Sequence, residues 1–227
     1  ESKWVVHGET FWKNFASASM ASAIVACSNG WGETKLKVGD KGLNMNAPIP
    51  YISGWGALAS SRHIQLVPSI EVADNLPGMR EKFNYILKAI GSGEKVALGG
   101  GIGSLFYMIC KHFIKPEEFY AEYYRSLNLG LKKSLLYLKI LQCRLSSKQR
   151  KAMIDFMPLK GVLIAGVEAQ LYIEFFEKEF SLEPLQIYGS TEAGPLMRGD
   201  PDRKKDLVPD LGTSYLEFKT KNGEIKD

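Results

Sequence analysis

Apolar residues recur at helical spacing through "TFWKNFASASMASAIVACSNG" (10–30), which predicts a helix with Thr10 placed to cap its start and Gly30 to end it. "KGLNMNAPIPYISGWGALAS" (41–60) is punctuated by Pro and Gly and then turns apolar, as expected of a buried strand, a loop and a helix start. "HIQLVPS" (63–69) reads as a short strand. "MREKFNYILKAIGSG" (79–93) is amphipathic, with Phe83, Ile86, Leu87 and Ile90 on one face and Gly91 and Gly93 to stop it. "KVALGGGIGSLFYMICKHF" (95–113) predicts strand, glycine turn and helix, and 116–157 is helical in pattern throughout. Two further alternations follow: the strand "GVLIAG" (161–166), the helix "EAQLYIEFFEKEF" (168–180) and the strand "LQIYGS" (185–190). The closing "SYLEFKTKNGEIKD" (214–227) reads as two strands joined by an Asn-Gly turn. Repeated strand–helix–strand units predict an α/β fold, with mainly parallel sheets flanked by helices and joined by right-handed crossovers. There is no internal repeat and no low-complexity tract.

Composition narrows this picture a little. The chain has 227 residues, 45% hydrophobic and 24% charged, enough for a sizeable core in one large domain or two small ones. Its 22 glycines against 10 prolines indicate many turns. The net charge of +4 is spread out, and no block of basic residues marks a nucleic-acid surface. Cys27, Cys110 and Cys143 are odd in number, far apart and without C-x-x-C spacing, so they read as free thiols in a reducing compartment. His7, His63 and His112 are equally dispersed and give no metal cluster. No apolar run approaches the ~20 residues that span a bilayer. The first residues, "ESKWVVHGETF", lack the apolar region of a signal peptide. These features predict a soluble cytoplasmic protein with no nucleic-acid or membrane partner; they leave the oligomeric state unknown.

Candidate chemistry lies at two places. "GGGIGS" (99–104) fails the G-x-G-x-x-G template because Ser104 stands at the last glycine position, and the stretch after it is helical where a second strand should close. Three glycines permit close approach to a ligand, or simply a tight turn against a neighbour. "IYGSTEAGP" (187–195) is sharper, because ligands of parallel α/β sheets sit beyond the carboxyl ends of strands. There Tyr188 can stack on a purine, Ser190 and Thr191 can bond phosphate oxygens, and Glu192 can ligate Mg²⁺. The alternative is structural, with Thr191 and Glu192 capping a helix that begins at Ala193. Gly166, Val167 and Glu168 occupy the equivalent edge of the preceding strand, where Glu168 also suits a first-turn acid. Glu117 and Glu118 read the same way, and no Ser-His-Asp or Cys-His set is legible.

"YGSTEAG" resembles the Tyr-Gly-x-Thr-Glu motif of the adenylate-forming superfamily, which includes acyl-CoA synthetases and firefly luciferase. "ESKWVVHGETF" is similar to the tail of that family's phosphate loop, "NAPIPYISGWGA" to its Pro-containing motif before the acyl pocket, and "GVLIAGVEA" to its adenine-side glycine turn. The four occur in the family's order. "LVPDLGTSYLEF" (207–218) is similar to the segment after the Glu motif in the auxin-responsive acyl-acid amido synthetases and their microbial relatives, with phenylacetate–CoA ligases as the near alternative.

The resemblance implies ATP and Mg²⁺ as cofactors, a small carboxylic acid as substrate, and an amino acid or CoA as acceptor. By position, it implies that Tyr188 stacks on adenine within the loop formed by Gly189 and Ser190. Thr191 would contact phosphate or the acyl carboxylate, and Glu192 would bind Mg²⁺. Lys3 would approach the β/γ-phosphates, and Gly166 and Val167 would flank adenine and the acyl group. Tyr51, Ser53, Trp55, Gly101 and Gly103 are its acyl-pocket candidates. The glycine-rich front of the phosphate loop would lie before residue 1, and a ribose-binding aspartate and a small C-terminal domain would follow Asp227. Residues 1–227 would then be the central part of an N-terminal adenylation domain, inactive by itself. Two other classes compete: a non-catalytic nucleotide-binding or scaffold protein of the same fold, and, on "GGGIGS" alone, a Rossmann-type oxidoreductase.

Overall fold

The computed structural model describes residues 8–126, 130–145, 153–166, 169–190, 194–209, 218–219 and 225–226. The chain opens with helix α1 (Glu9–Ala26), the hairpin β1 (Ser28–Gly30) and β2 (Glu33–Thr34), then strand β3 (Lys41–Leu43). Helix α2 (Ile52–Ser61), strand β4 (Gln65–Val67) and helices α3 (Ile70–Asp74) and α4 (Met79–Gly91) follow. Strand β5 (Leu98–Ile102) leads into the helical stretch α5 (Gly103–Ile114), α6 (Pro116–Ser126), α7 (Leu131–Leu145) and α8 (Met153–Phe156). Strand β6 (Gly161–Ala165), helix α9 (Ile173–Phe180), and strands β7 (Leu185–Ser190), β8 (Gly194–Arg198) and β9 (Val208–Pro209) complete the main body. A separate pair, β10 (Phe218–Lys219) and β11 (Ile225–Lys226), is antiparallel, as the closing motif predicts; its Asn-Gly turn lies outside the described residues.

The architecture is α/β, with a seven-stranded sheet in the order β4-β3-β5-β6-β7-β8-β9. Strands β4 to β7 along that order are parallel, and β8 and β9 return antiparallel. One face carries the core. There Val162 and Ile164 of β6 meet Ile86 and Ile90 of α4, Phe106 and Ile109 of α5, and Phe176 and Phe180 of α9. Phe106 stacks on Phe176 and Phe180 with ring centroids 5.0 and 6.2 Å apart. The amphipathic register of 79–93 therefore does what its pattern predicts: Ile86 and Ile90 are buried, with Phe83 and Leu87 packed beside them.

Four local expectations need correction. The first helix starts at Glu9 with Gly8 as N-cap, so Thr10 lies inside it, and it ends at Ala26 because Ser28–Gly30 pair with β2. The segment 168–180 enters through a 3₁₀ turn, Ala169–Tyr172, before α9. The residues after 193 form β8, paired antiparallel with β7, so no helix starts there for Thr191 and Glu192 to cap. Finally, Gly99–Gly101 are strand residues paired with Val162–Ile164, not a turn. A Cβ on Gly99 would lie 2.5 Å from Phe106, and one on Gly100, which sits at φ +126°, would lie 1.7 Å from the Leu163 carbonyl oxygen. Those glycines are required by the packing of β5 against its neighbours.

Candidate functional site

Helices α1 and α2 cover the other face of the sheet, and they do not fill it. A cleft of about 460 Å³ lies between them and strands β3 to β7. The contrast with the core face is one of side-chain size. The core face is packed with Phe, Ile and Met, whereas the cleft, though Phe15 and Ile52 also line it, is walled in large part by Ser19, Ser22 and Ala23 of α1, Gly56, Ala57 and Ser60 of α2, and the glycines of β5. Alternation along β6 sorts its residues accordingly: Val162 and Ile164 are fully buried in the core, while Leu163 and Ala165 face the cleft half-buried.

The mouth lies at the carboxyl ends of the parallel strands, where ligands of such sheets sit. Ala165 and Gly166 end β6 there, and Ile187 to Ser190 form the adjoining edge of β7. Tyr188 is 53% exposed, which leaves much of its side chain accessible to a flat partner. Gly166 has φ +108° and nothing within 4 Å of where a Cβ would stand, which leaves open space against the backbone. Together these form a small concave mouth with an aromatic wall and an accessible backbone, suited to a nucleobase.

Supporting contacts hold the walls. Lys82 of α4 is buried, and its ammonium donates to the Asn46 carbonyl oxygen at 2.6 Å and to Asn44 Oδ1 at 3.3 Å. Asn44 Nδ2 in turn donates to the Pro68 carbonyl oxygen at 3.2 Å. The strap between β3 and α2, which brings Asn46 to the cleft, is thereby pinned to α4. Burial lowers the Lys82 pKa, with Asp74 opposing the shift. Across the cleft, Arg198 of β8 donates to the Ala18 carbonyl oxygen and to Ser22 Oγ, at 3.4 and 3.3 Å, fastening α1 over the sheet. The sequence carried one signal for Lys82: it falls in register with Ile86 and Ile90, a lysine on an apolar stripe. Arg198 carried none.

Of the residues singled out by sequence, Ser53, Gly101, Gly166, Tyr188, Gly189 and Ser190 line the cleft together. Tyr51, Trp55 and Gly103 are not among its lining residues. Tyr51 is 62% exposed ahead of α2, and Trp55 packs on Trp12 with centroids 5.1 Å apart. Gly103 is buried at the start of α5. Lys3, Val167, Glu168, Thr191 and Glu192 lie outside the described residues. Among the described residues no group of three His, Cys, Asp or Glu could hold a metal, and no helix is long and apolar enough to cross a membrane. Cys27 and Cys110 are free and buried; burial pushes the Cys27 thiol up to about 11.

These features define an α/β protein with a cleft that opens at the carboxyl edge of a parallel sheet. No protein-family model matches the chain, and no curated protein matches it in sequence. Several solved structures resemble it. An ATP-bound chimera of RpMatB and BxBclM is 12% identical over 94% of this chain and 33% of its own, with a TM-score of 0.42. ATP-bound MatB from Rhodopseudomonas palustris is 12% identical over the same shares, 94% and 33%, with a TM-score of 0.41. The adenylation domain of a carboxylate reductase from Mycobacterium chelonae is 18% identical over 78% of this chain and 24% of its own, with a TM-score of 0.34. The chain spans a third or less of each of these structures. With every TM-score below 0.5, the assignment of the cleft rests on the chain's own residues.

Proposed function

We propose that this chain is the central part of an adenylation domain that uses ATP to activate a carboxylic acid as an acyl-adenylate. The observation that carries the reading is the juxtaposition at one mouth of the Tyr188–Gly189–Ser190 edge, which opens the Tyr-Gly-x-Thr-Glu motif, and the open backbone of Gly166. Adenine would lie against Tyr188 and Gly166, with Val167 beside it. In the reaction a carboxylate oxygen bonds to the α-phosphorus, the bond from that phosphorus to the bridging oxygen breaks, and pyrophosphate leaves. ATP is thus a substrate. Thr191, Glu192 and Lys3 are the residues proposed to meet its phosphates, Glu192 through Mg²⁺ bound to them. The protein's part is to position the reactants in line and offset charge.

The acyl group then passes to an amine or to the CoA thiol. The likeness of 207–218 to the auxin-responsive amido synthetases supports an amino acid acceptor, and phenylacetate–CoA ligases are the near alternative. The test is ATP–pyrophosphate exchange by the full-length protein with Mg²⁺ and a panel of aryl, indolyl and alkyl acids. Acid-dependent exchange is expected, and Glu192→Ala should lower its rate about 100-fold or more. ATP binding without exchange by any acid would replace this reading with a non-catalytic nucleotide-binding protein.

A further inference from the structure

Below the mouth the cleft changes character. From Gly101 down to Leu98 is three residues of strand, a descent of about 10 Å. Beside it, Ile52, Ser53, Gly56, Ala57 and Ser60 lie along one face of α2, over about 12 Å of helix. Because α2 runs back from the carboxyl edge toward the start of β4, Ser60 stands at the far end of the cleft with Ile64 and Leu66. No lining residue among those described is charged.

Two of the wall's serines have their hydroxyl protons engaged. Ser19 Oγ donates to the Phe15 carbonyl oxygen and Ser22 Oγ to that of Ala18, both at 2.8 Å, so these hydroxyl protons are spent on α1 itself. Ser53 Oγ accepts from the Ala47 N–H at 3.3 Å. A polar group carried to the bottom of this cleft would lose its water and meet few donors or acceptors, and a charge would meet no counter-charge.

Resting on the adenylation reading above, we infer that the acid substrate is a monocarboxylic acid with an uncharged, apolar tail, seated between α1, α2 and the sheet. Ser60, with the small Gly56 and Ala57, sets the tail's length. The carboxylate stays at the mouth, and the tail fills a slot about 10 Å deep, the reach of a medium alkyl chain or a fused-ring system. Small residues between Phe15 and Ile52 on the facing surfaces of the two helices, Ser19, Ser22 and Ala23 of α1 and Ser53, Gly56, Ala57 and Ser60 of α2, leave this volume. On the opposite face of the same sheet, large ones abolish it.

The experiment uses the full-length protein and a series of straight-chain monocarboxylic acids beside the dicarboxylic acids of matching length. In ATP–pyrophosphate exchange, kcat/KM should rise about fourfold per methylene up to a limit, then fall, and each dicarboxylic acid should be at least ~100-fold poorer than its partner. Ser60→Leu should move the optimum to shorter acids. Exchange strongest with a dicarboxylic, hydroxylated or amino acid overturns the inference while leaving adenylation standing. An optimum that Ser60→Leu does not move overturns the assignment of depth. If no acid supports exchange, calorimetry with octanoate and octanedioate alone reads the cleft independently of catalysis. Tighter octanoate binding retains the apolar slot and discards only the adenylation reading; equal or absent binding discards the slot.

Discussion

At the scale of single residues, the glycines of β5 show how one sequence feature admits opposite explanations. Gly99, Gly100 and Gly101 invite a dinucleotide-binding reading, yet two of them are dictated by neighbours with no ligand involved. A methyl group on Gly99 would press on Phe106 and Leu159, and one on Gly100 would drive into the backbone of Leu163 at a φ that L-residues avoid. Gly99→Ala is expected to cost about 1–3 kcal/mol and Gly100→Ala about 3 kcal/mol or more, measured as the fall in unfolding free energy in urea. A Gly100→Ala protein as stable as the parent would show that β5 is seated differently. Gly166 is the opposite case. Its positive φ favours glycine by itself, and no atom stands within 4 Å of where a Cβ would lie, so the space at the mouth stays open. Nothing in the letters "GGG" and "AGV" separates these two roles, because the difference lies in atoms contributed by distant segments.

At the scale of elements, β6 is the informative strand. Its apolar run "VLIA" predicts burial on both sides, and the strand is indeed covered on both faces, but unequally. Ile164 is sealed under α5 and α9, while its neighbour Leu163 looks into the cleft under α1. Ile164→Ala should therefore cost about 2–5 kcal/mol, as expected where a fully packed site is left hollow. Leu163→Ala should cost about 1 kcal/mol, since its surroundings are already partly open. Chemical denaturation of the two variants checks this, and equal losses would mean that the two faces are equally packed. Outside the β1–β2 hairpin, α3, β8 and β9, the element pattern was legible in the sequence, including the amphipathic α4. The β8 return was not, because Gly194–Arg198 offers neither alternation nor length and becomes a strand only by pairing with β7.

At the scale of the whole molecule, the mouth of the cleft lies at one end of the parallel sheet and an ion-pair clamp lies at the other. Just before β6, the Lys160 ammonium reaches both oxygens of Asp40, just before β3, at 2.8 and 2.7 Å. Lys41 pairs with Glu94 ahead of β5, which ties the starts of three neighbouring strands together. Burial alone would raise the Asp40 pKa, but its bonds from Lys160 and the Lys37 N–H hold it below the ordinary 3.8. A carboxylate with a lowered folded pKa contributes stability that is present above its unfolded value and is lost as pH falls through the folded one. Lys160→Met should accordingly cost about 1 kcal/mol at pH 7. The difference from the parent should shrink as the pH drops below 3.8, and urea midpoints at several pH values measure it.

By itself, the sequence determined the α/β class, most of the elements, and the strand end where Tyr188 stands, because these follow from local periodicity and turn chemistry. Tertiary structure decided which glycines face a neighbour and which face a cleft, and that Tyr51 and Trp55 stand away from the slot while Ser60 closes it. It also recruited Lys82 and Arg198 to hold the walls. Those outcomes depend on atoms brought together across long stretches of chain, whose spacing along the sequence says nothing about their distance in space.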